Sequence, residues 1–182
     1  MSDSPGCSFP CAGTGDRPPA QARRVLARIV VVVLRIRDAT ATEAPVLEAL
    51  QRRSSDVWEE YREQLAAHPD AIELAQAFID KGWVRVAVDV EETPVGISVV
   101  VSTSGPVHEL DGLFVDPDQM SSGVGRALVE DAASRASNQG AEALEVTAGP
   151  AQAFYERVGF NLIGPAQTRF GPAVRMRRDL QG

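Results

Sequence analysis

The chain has 182 residues, 18 Lys and Arg against 25 Asp and Glu for a net charge of -7, 44% hydrophobic residues and 2 cysteines. That length suits one domain that buries about 70% of its unfolded surface, and the hydrophobic share excludes a wholly disordered chain. The acidic balance argues against general nucleic-acid binding, which needs surplus Lys and Arg to neutralise phosphates, and favours a cationic partner.

The first residues differ from the rest. Arg17, Arg23, Arg24, Arg28, Arg35 and Arg37 outnumber Asp3, Asp16 and Asp38, so the body is more acidic than the whole. Residues 1–24 contain Pro5, Pro10, Pro18, Pro19 and several glycines and serines without apolar periodicity, and are expected to be disordered. The apolar run at 29–34 is flanked by Arg28 and Arg35. It is shorter than a signal-peptide core or a membrane span of about 20 residues, so no membrane role is expected.

Cys7 and Cys11 read as incidental thiols, because a metal site needs further ligands nearby and His68 and His108 form no ligand-spaced pair. With no other cysteine, a reducing cytoplasm is the expected compartment. Domain-like sequence begins at Leu34. Residues 1–33 are therefore expected to be a disordered tail, or an extension ahead of a translation start near Val33 or Leu34, and the folded domain to span 34–182.

In chain order, the β-branched stretch 30–36 predicts a strand. Thr42 is placed to cap a helix with Pro45 in its first turn and Val46, Leu47 and Leu50 on one face. A second helix is expected over 56–67, and a third from an Asp70 cap through Ile72, Ala75, Phe78 and Ile79 to Lys81-Gly82. From Trp83 the period becomes two, predicting strands over 83–88, 95–102 and 109–115 in an antiparallel meander. A glycine-bearing loop then opens a helix with Val124, Leu128, Val129 and Ala132 on its apolar face. A strand over 143–147, a helix over 151–157, and short strands at 161–163 and 173–178 complete the chain.

The chemistry concentrates in two stretches. In the first, Leu113-Phe114-Val115 runs through Asp116-Pro117 and Met120-Ser121-Ser122 into Gly123-Val124-Gly125-Arg126. A strand that turns into a helix this way presents successive backbone N–H groups and the positive helix end, a site for a pyrophosphate. Gly123 and Gly125 allow close approach, and Ser121 and Ser122 offer hydroxyls. A dinucleotide fingerprint needs glycine where Leu128 stands, and a P-loop needs Gly-Lys-Ser/Thr, which is absent. The second stretch carries Ala151, Phe154, Tyr155 and Glu156 on a short helix ending at Gly159-Phe160.

Together these stretches resemble the GNAT superfamily of acyl-CoA-dependent N-acetyltransferases. The family's Arg/Gln-x-x-Gly-x-Gly/Ala signature after a Val-x-Pro strand end is matched at Val115, Pro117, Gly123 and Gly125. Its later Ala-x-x-Phe/Leu-Tyr-Glu-x-x-Gly-Phe pattern is matched at Ala151, Phe154, Tyr155, Glu156, Gly159 and Phe160. The resemblance covers about 34–180 and implies an α/β (α+β) fold, with a mixed, mostly antiparallel central sheet flanked by helices on both faces. It implies acetyl-CoA as co-substrate, a small amine or peptide as acceptor, and, as in many relatives, a homodimer.

The resemblance places Leu113, Phe114, Val115, Met120, Ser121, Ser122, Gly123, Val124, Gly125, Arg126, Ala151, Phe154 and Tyr155 at the cofactor. The Leu113 and Val115 backbones would bind the pantetheine arm and polarise the thioester carbonyl, and Tyr155 would protonate the departing thiolate. Glu109 is favoured as the base; Asp111 lies on the same strand face, and His108 points the other way. Two positions depart from the family pattern. Met120 stands at the Arg/Gln position, removing a contact worth about 1–3 kcal/mol, and Ala148 replaces an Asn. A non-catalytic acyl-CoA-binding regulator of the same fold is the alternative these departures suggest.

Overall fold

The computed structural model describes residues 34–180 apart from 69–71 and 169, and, within one helix, not the side chains at 60, 61, 64 and 65. The first 33 residues, including Cys7, Cys11 and most of the 29–34 run, lie outside the described residues, as does the expected Asp70 cap.

Among the described residues, seven strands form one sheet. They are β1 (Arg35–Asp38), β2 (Val84–Val88), β3 (Pro94–Val101), β4 (Val107–Val115), β5 (Ala143–Ala148), β6 (Asn161–Thr168) and β7 (Gly171–Asp179), in the order β1-β2-β3-β4-β5-β7-β6. Every neighbouring pair is antiparallel except β4 and β5. The helices are α1 (Ala44–Ser55), α2 (Glu59–Ala67), α3 (Gln76–Asp80), α4 (Val124–Asn138) and α5 (Gln152–Arg157). The mixed, mostly antiparallel sheet and its meander β2 to β4 match the expectation.

The aliphatic core divides across the sheet. On one face Leu47 and Leu50 of α1 pack with Val84, Val86, Ile97 and Val99. On the other, the α4 stripe of Val129, Ala132, Ala133 and Ala136 meets Leu110, Leu144 and Val146, with Tyr155 and Phe160 joining from α5 and the segment beyond. Val124 and Leu128 close the same face over Ala87 and Val95. The 3.6-residue repeat of α4 and the two-residue alternation of the strands thus bury one stripe against one face.

Several elements differ from the sequence expectation for local reasons. Thr42 does not cap α1; Glu43 occupies the N-cap, and its carboxylate reaches back to the Thr40 N–H at 2.7 Å and hydroxyl at 2.9 Å. The second helix starts at Glu59 rather than 56, because the Asp56 N–H closes α1 by donating to the Arg52 carbonyl. The third is only Gln76–Asp80. Ile72 and Leu74 stay buried in irregular chain, where the Glu48 carboxylate accepts the Leu74 N–H at 3.0 Å and replaces a helical bond. The last two strands are longer than expected. Pro165 sits within β6, an edge strand whose outer side needs no N–H, beside a register shift between Leu162 and Gly164.

Arg37 donates to both Glu43 oxygens, at 2.6 and 2.9 Å, tying β1 to the start of α1. This pairing, opposed by partial burial, holds the Glu43 carboxyl down at about 2. The stabilisation is fully present above the ordinary carboxylate range and disappears as pH falls towards 2. Glu43→Gln is expected to cost about 1–2 kcal/mol in urea unfolding at neutral pH, with the difference from the native chain vanishing in strong acid.

Candidate active site

The site begins where two strands part. β4 and β5 pair only over Val107–Glu109 and Ala143–Glu145, although β4 runs on to Val115 and β5 to Ala148. Beyond that point β4 stays with β3 and β5 stays with β7. The β3–β4 register passes from Val99 opposite Gly112 to Val100 opposite Leu110, so Asp111 is an extra residue in β4. Such a bulge bends a strand and increases its twist, which carries the end of β4 away from β5.

The gap exposes backbone. The Asp116 N–H donates to the Val95 carbonyl of β3 at 2.9 Å. Alternation therefore aims the N–H groups of Val115 and Leu113 away from β3, into the gap. Two adjoining cavities line it. The larger, about 600 Å³, is lined by Leu113, Val115, Met120, Ser121, Gly123, Gly125, Arg126, Phe154 and Arg157 among others. The smaller, about 170 Å³, is lined by Ser55, Leu110, Asp111, Phe114, Val146, Thr147 and Ala148 among others. Ser54, Trp58, Leu113, Pro150, Ala151 and Tyr155 belong to both walls.

At one end of the large cavity lies the loop into α4. Ser121 at φ 67° and Gly123 at φ 97° are both left-handed and curl the chain so that α4 starts beside the gap. Serine in this conformation is strained by about 1–2 kcal/mol. The Ala127 N–H is the first that the helix itself takes, donating to the Gly123 carbonyl, so those of Val124, Gly125 and Arg126 have no intrahelical acceptor. With Arg126, whose guanidinium donates to the Arg157 carbonyl at 3.3 Å, and Arg157 also lining the cavity, this end fits a pyrophosphate despite Met120. Gly125 serves packing as well as access: a Cβ there would meet the Phe154 ring at 3.2 Å.

The residues expected at the cofactor are mostly brought together, with three qualifications. Ser122 turns its hydroxyl back to the Gln119 carbonyl at 2.6 Å and lines neither cavity, so it is not the free donor expected. The Val124 side chain is core, and only its N–H faces the loop. Phe114 lines the small cavity rather than the large one. Glu109 lies in the last paired position before the strands part, exposed and in neither cavity wall, whereas Asp111 lines the small one. Crowding of its carboxyl by protein atoms raises the Asp111 pKa from its ordinary value, although the residue is, like Glu109, exposed. His108 is buried on the opposite side of β4, as alternation requires.

Sequence reasoning missed Ser54, Trp58 and Arg157. Ser54 and Trp58 sit in the α1 end and the turn after it, where only helical periodicity was legible, and Arg157 lies inside the second motif at an unspecified position.

The sequence profile of the acetyltransferase (GNAT) domain matches residues 52–180. Peptidyl-lysine N-acetyltransferase YjaB of Escherichia coli K12 is 33% identical over 141 residues, covering 75% of this chain and 88% of that protein. The solution structure of apo YjaB from Escherichia coli has 30% identity and a TM-score of 0.58, covering 83% of this chain and 99% of that one. A PaiA N-acetyltransferase from Thermoplasma acidophilum in complex with coenzyme A shares the fold at a TM-score of 0.66 with 18% identity, covering 80% of this chain and 98% of that one. With the parted strands, the curled loop and the profile match in agreement, the chain belongs to the GNAT family and is an acyl-CoA-dependent N-acetyltransferase whose co-substrate is acetyl-CoA.

Proposed function

We propose that the chain transfers the acetyl group of acetyl-CoA to a primary amine, that of a lysine side chain in a peptide, by direct attack. One observation carries this reading: Asp111 and Tyr155 line the same small chamber, which adjoins the large cavity and shares Tyr155 with it. A chamber of about 170 Å³ has room for the end of a lysyl side chain beside an acyl group, and a carboxylate suits a cation there. The similarity to YjaB, named a peptidyl-lysine N-acetyltransferase, supports the same class of acceptor.

Acetyl-CoA supplies the activated acyl carbonyl and a thiolate that leaves. The chain's own residues do the rest. The α4 loop N–H groups, with Arg126 and Arg157, hold the pyrophosphate end, while the N–H groups of Leu113 and Val115 orient the arm and donate to oxygen in the gap. An amine attacks only when unprotonated, so a base must take its proton. We assign that role to Asp111 rather than Glu109, because Asp111 lines the chamber and Glu109 lines neither cavity; crowding by protein atoms also raises the proton affinity of Asp111. Tyr155, 7% exposed and braced edge-on by Phe154 and Phe160, presents its phenol to the departing sulfur.

Thiol release with lysine peptides tests the assignment. Tyr155→Phe is expected to lower kcat about 10–100-fold with little change in CoA affinity, and Asp111→Asn to lower kcat about 100-fold. Since the working form of Asp111 is ionised and its proton affinity is raised, native activity is expected to fall with decreasing pH earlier than for an ordinary carboxylate. Asp111→Asn should lose that acid limb. Full activity in Asp111→Asn with Glu109→Gln inactive would return the base role to Glu109.

A further inference from the structure

Ser54 belongs to no motif, yet it stands at the junction of the two cavities. It lies in the last turn of α1, is 5% exposed and lines both chambers. Its Oγ accepts the Val115 N–H at 3.2 Å. That N–H is one of the two that the parting of β4 and β5 leaves facing the gap, and a buried N–H without an acceptor costs about 1–3 kcal/mol. The serine therefore does what a β5 carbonyl would have done.

An N–H carries a single hydrogen. A carbonyl on the arm of the acyl donor that takes the Val115 N–H must occupy the place where Ser54 Oγ now sits. The serine has one side-chain torsion with staggered alternatives, and its neighbours Ser55 and Trp58 line the acceptor chamber.

We propose that Ser54 is an acceptor-positioning residue set by the acyl donor. Before a donor binds, its hydroxyl holds the Val115 N–H. When a donor carbonyl takes over that hydrogen bond, the hydroxyl turns into the small chamber and accepts from the incoming amine, across from Asp111. No covalent bond changes; one hydrogen bond is exchanged for another, and the amine site is completed only after the donor has bound. This deepens the reading of the chain as an amine acetyltransferase and rests on it.

The test uses the full chain with Ser54→Ala and Ser54→Thr, calorimetric titration with free CoA, and steady-state kinetics with Nα-acetyl-lysine amide as the probe amine. With the internal competitor removed, Ser54→Ala is expected to bind CoA about 5-fold more tightly. Its KM for the probe amine should rise about 10-fold while kcat changes less than about 3-fold, and Ser54→Thr should restore both values. A serine that merely stabilised the fold would lower the melting temperature without tightening CoA binding. Unchanged or weaker CoA binding by a folded Ser54→Ala protein overturns the proposal, as does an unchanged KM for the amine. If the native chain turns over no probe amine, the CoA titration alone decides. Failure of the native chain to bind CoA would overturn both this inference and the proposed function, whereas native binding with the wrong Ser54→Ala response overturns this inference alone.

Discussion

One extra residue in β4 sets the rest of the site. Asp111 has no partner in the β3–β4 register, and past it β4 can no longer follow both β3 and β5. It keeps β3. β5 is held by its long pairing with β7, from Ala143 opposite Asp179 to Ala148 opposite Val174, so it cannot follow. The gap between the strands is thus a consequence of competing pairings rather than of missing structure. Its edge, where the Leu113 N–H points into the gap and the Val115 N–H is held by Ser54 Oγ rather than by a strand, is one that an extended, amide-bearing arm can fill as an added strand would.

The same bulge supplies the chemistry. It keeps Asp111 on the face it shares with Glu109 but moves it to the mouth of the gap, where protein atoms crowd its carboxyl. Tyr155 arrives from the opposite wall because α5 packs its ring between Phe154 and Phe160. The proposed base and acid therefore come from separate elements, Asp111 from β4 and Tyr155 from α5. The cofactor end is similarly divided: the glycine-bearing loop supplies N–H groups, and Arg126 and Arg157 supply charge where Met120 supplies none.

The parts legible in the sequence were those in which backbone geometry restricts residue choice. The left-handed turn at Gly123, the close contact of Gly125 with Phe154 and the cap at Gly159 leave spaced glycines that can be recognised without coordinates. The strand alternation also correctly separated His108 from Glu109 and Asp111. What alternation could not supply was the bulge, which is invisible in the residues of β4 yet decides that Asp111, not Glu109, lines the chamber. Ser54 and Trp58 were hidden for a related reason: their role comes from where α1 ends over the sheet, a tertiary fact with no local pattern. Glu43 and Glu48 show the same limit on a smaller scale, since side chains that bond backbone N–H groups reset helix ends that propensity alone would place elsewhere.

The central claim is that the parting of β4 and β5 is the acyl-donor site. The most direct measurement is an amide-resolved NMR titration of the isotopically labelled chain with CoA. The account predicts that the largest shifts fall on the N–H groups of Leu113, Val115 and Gly123 through Arg126, with Phe154 and Tyr155 following. Saturating CoA that leaves these amides unmoved, or that shifts instead those around the small pocket at Gly82, Trp83 and Arg135, would contradict it.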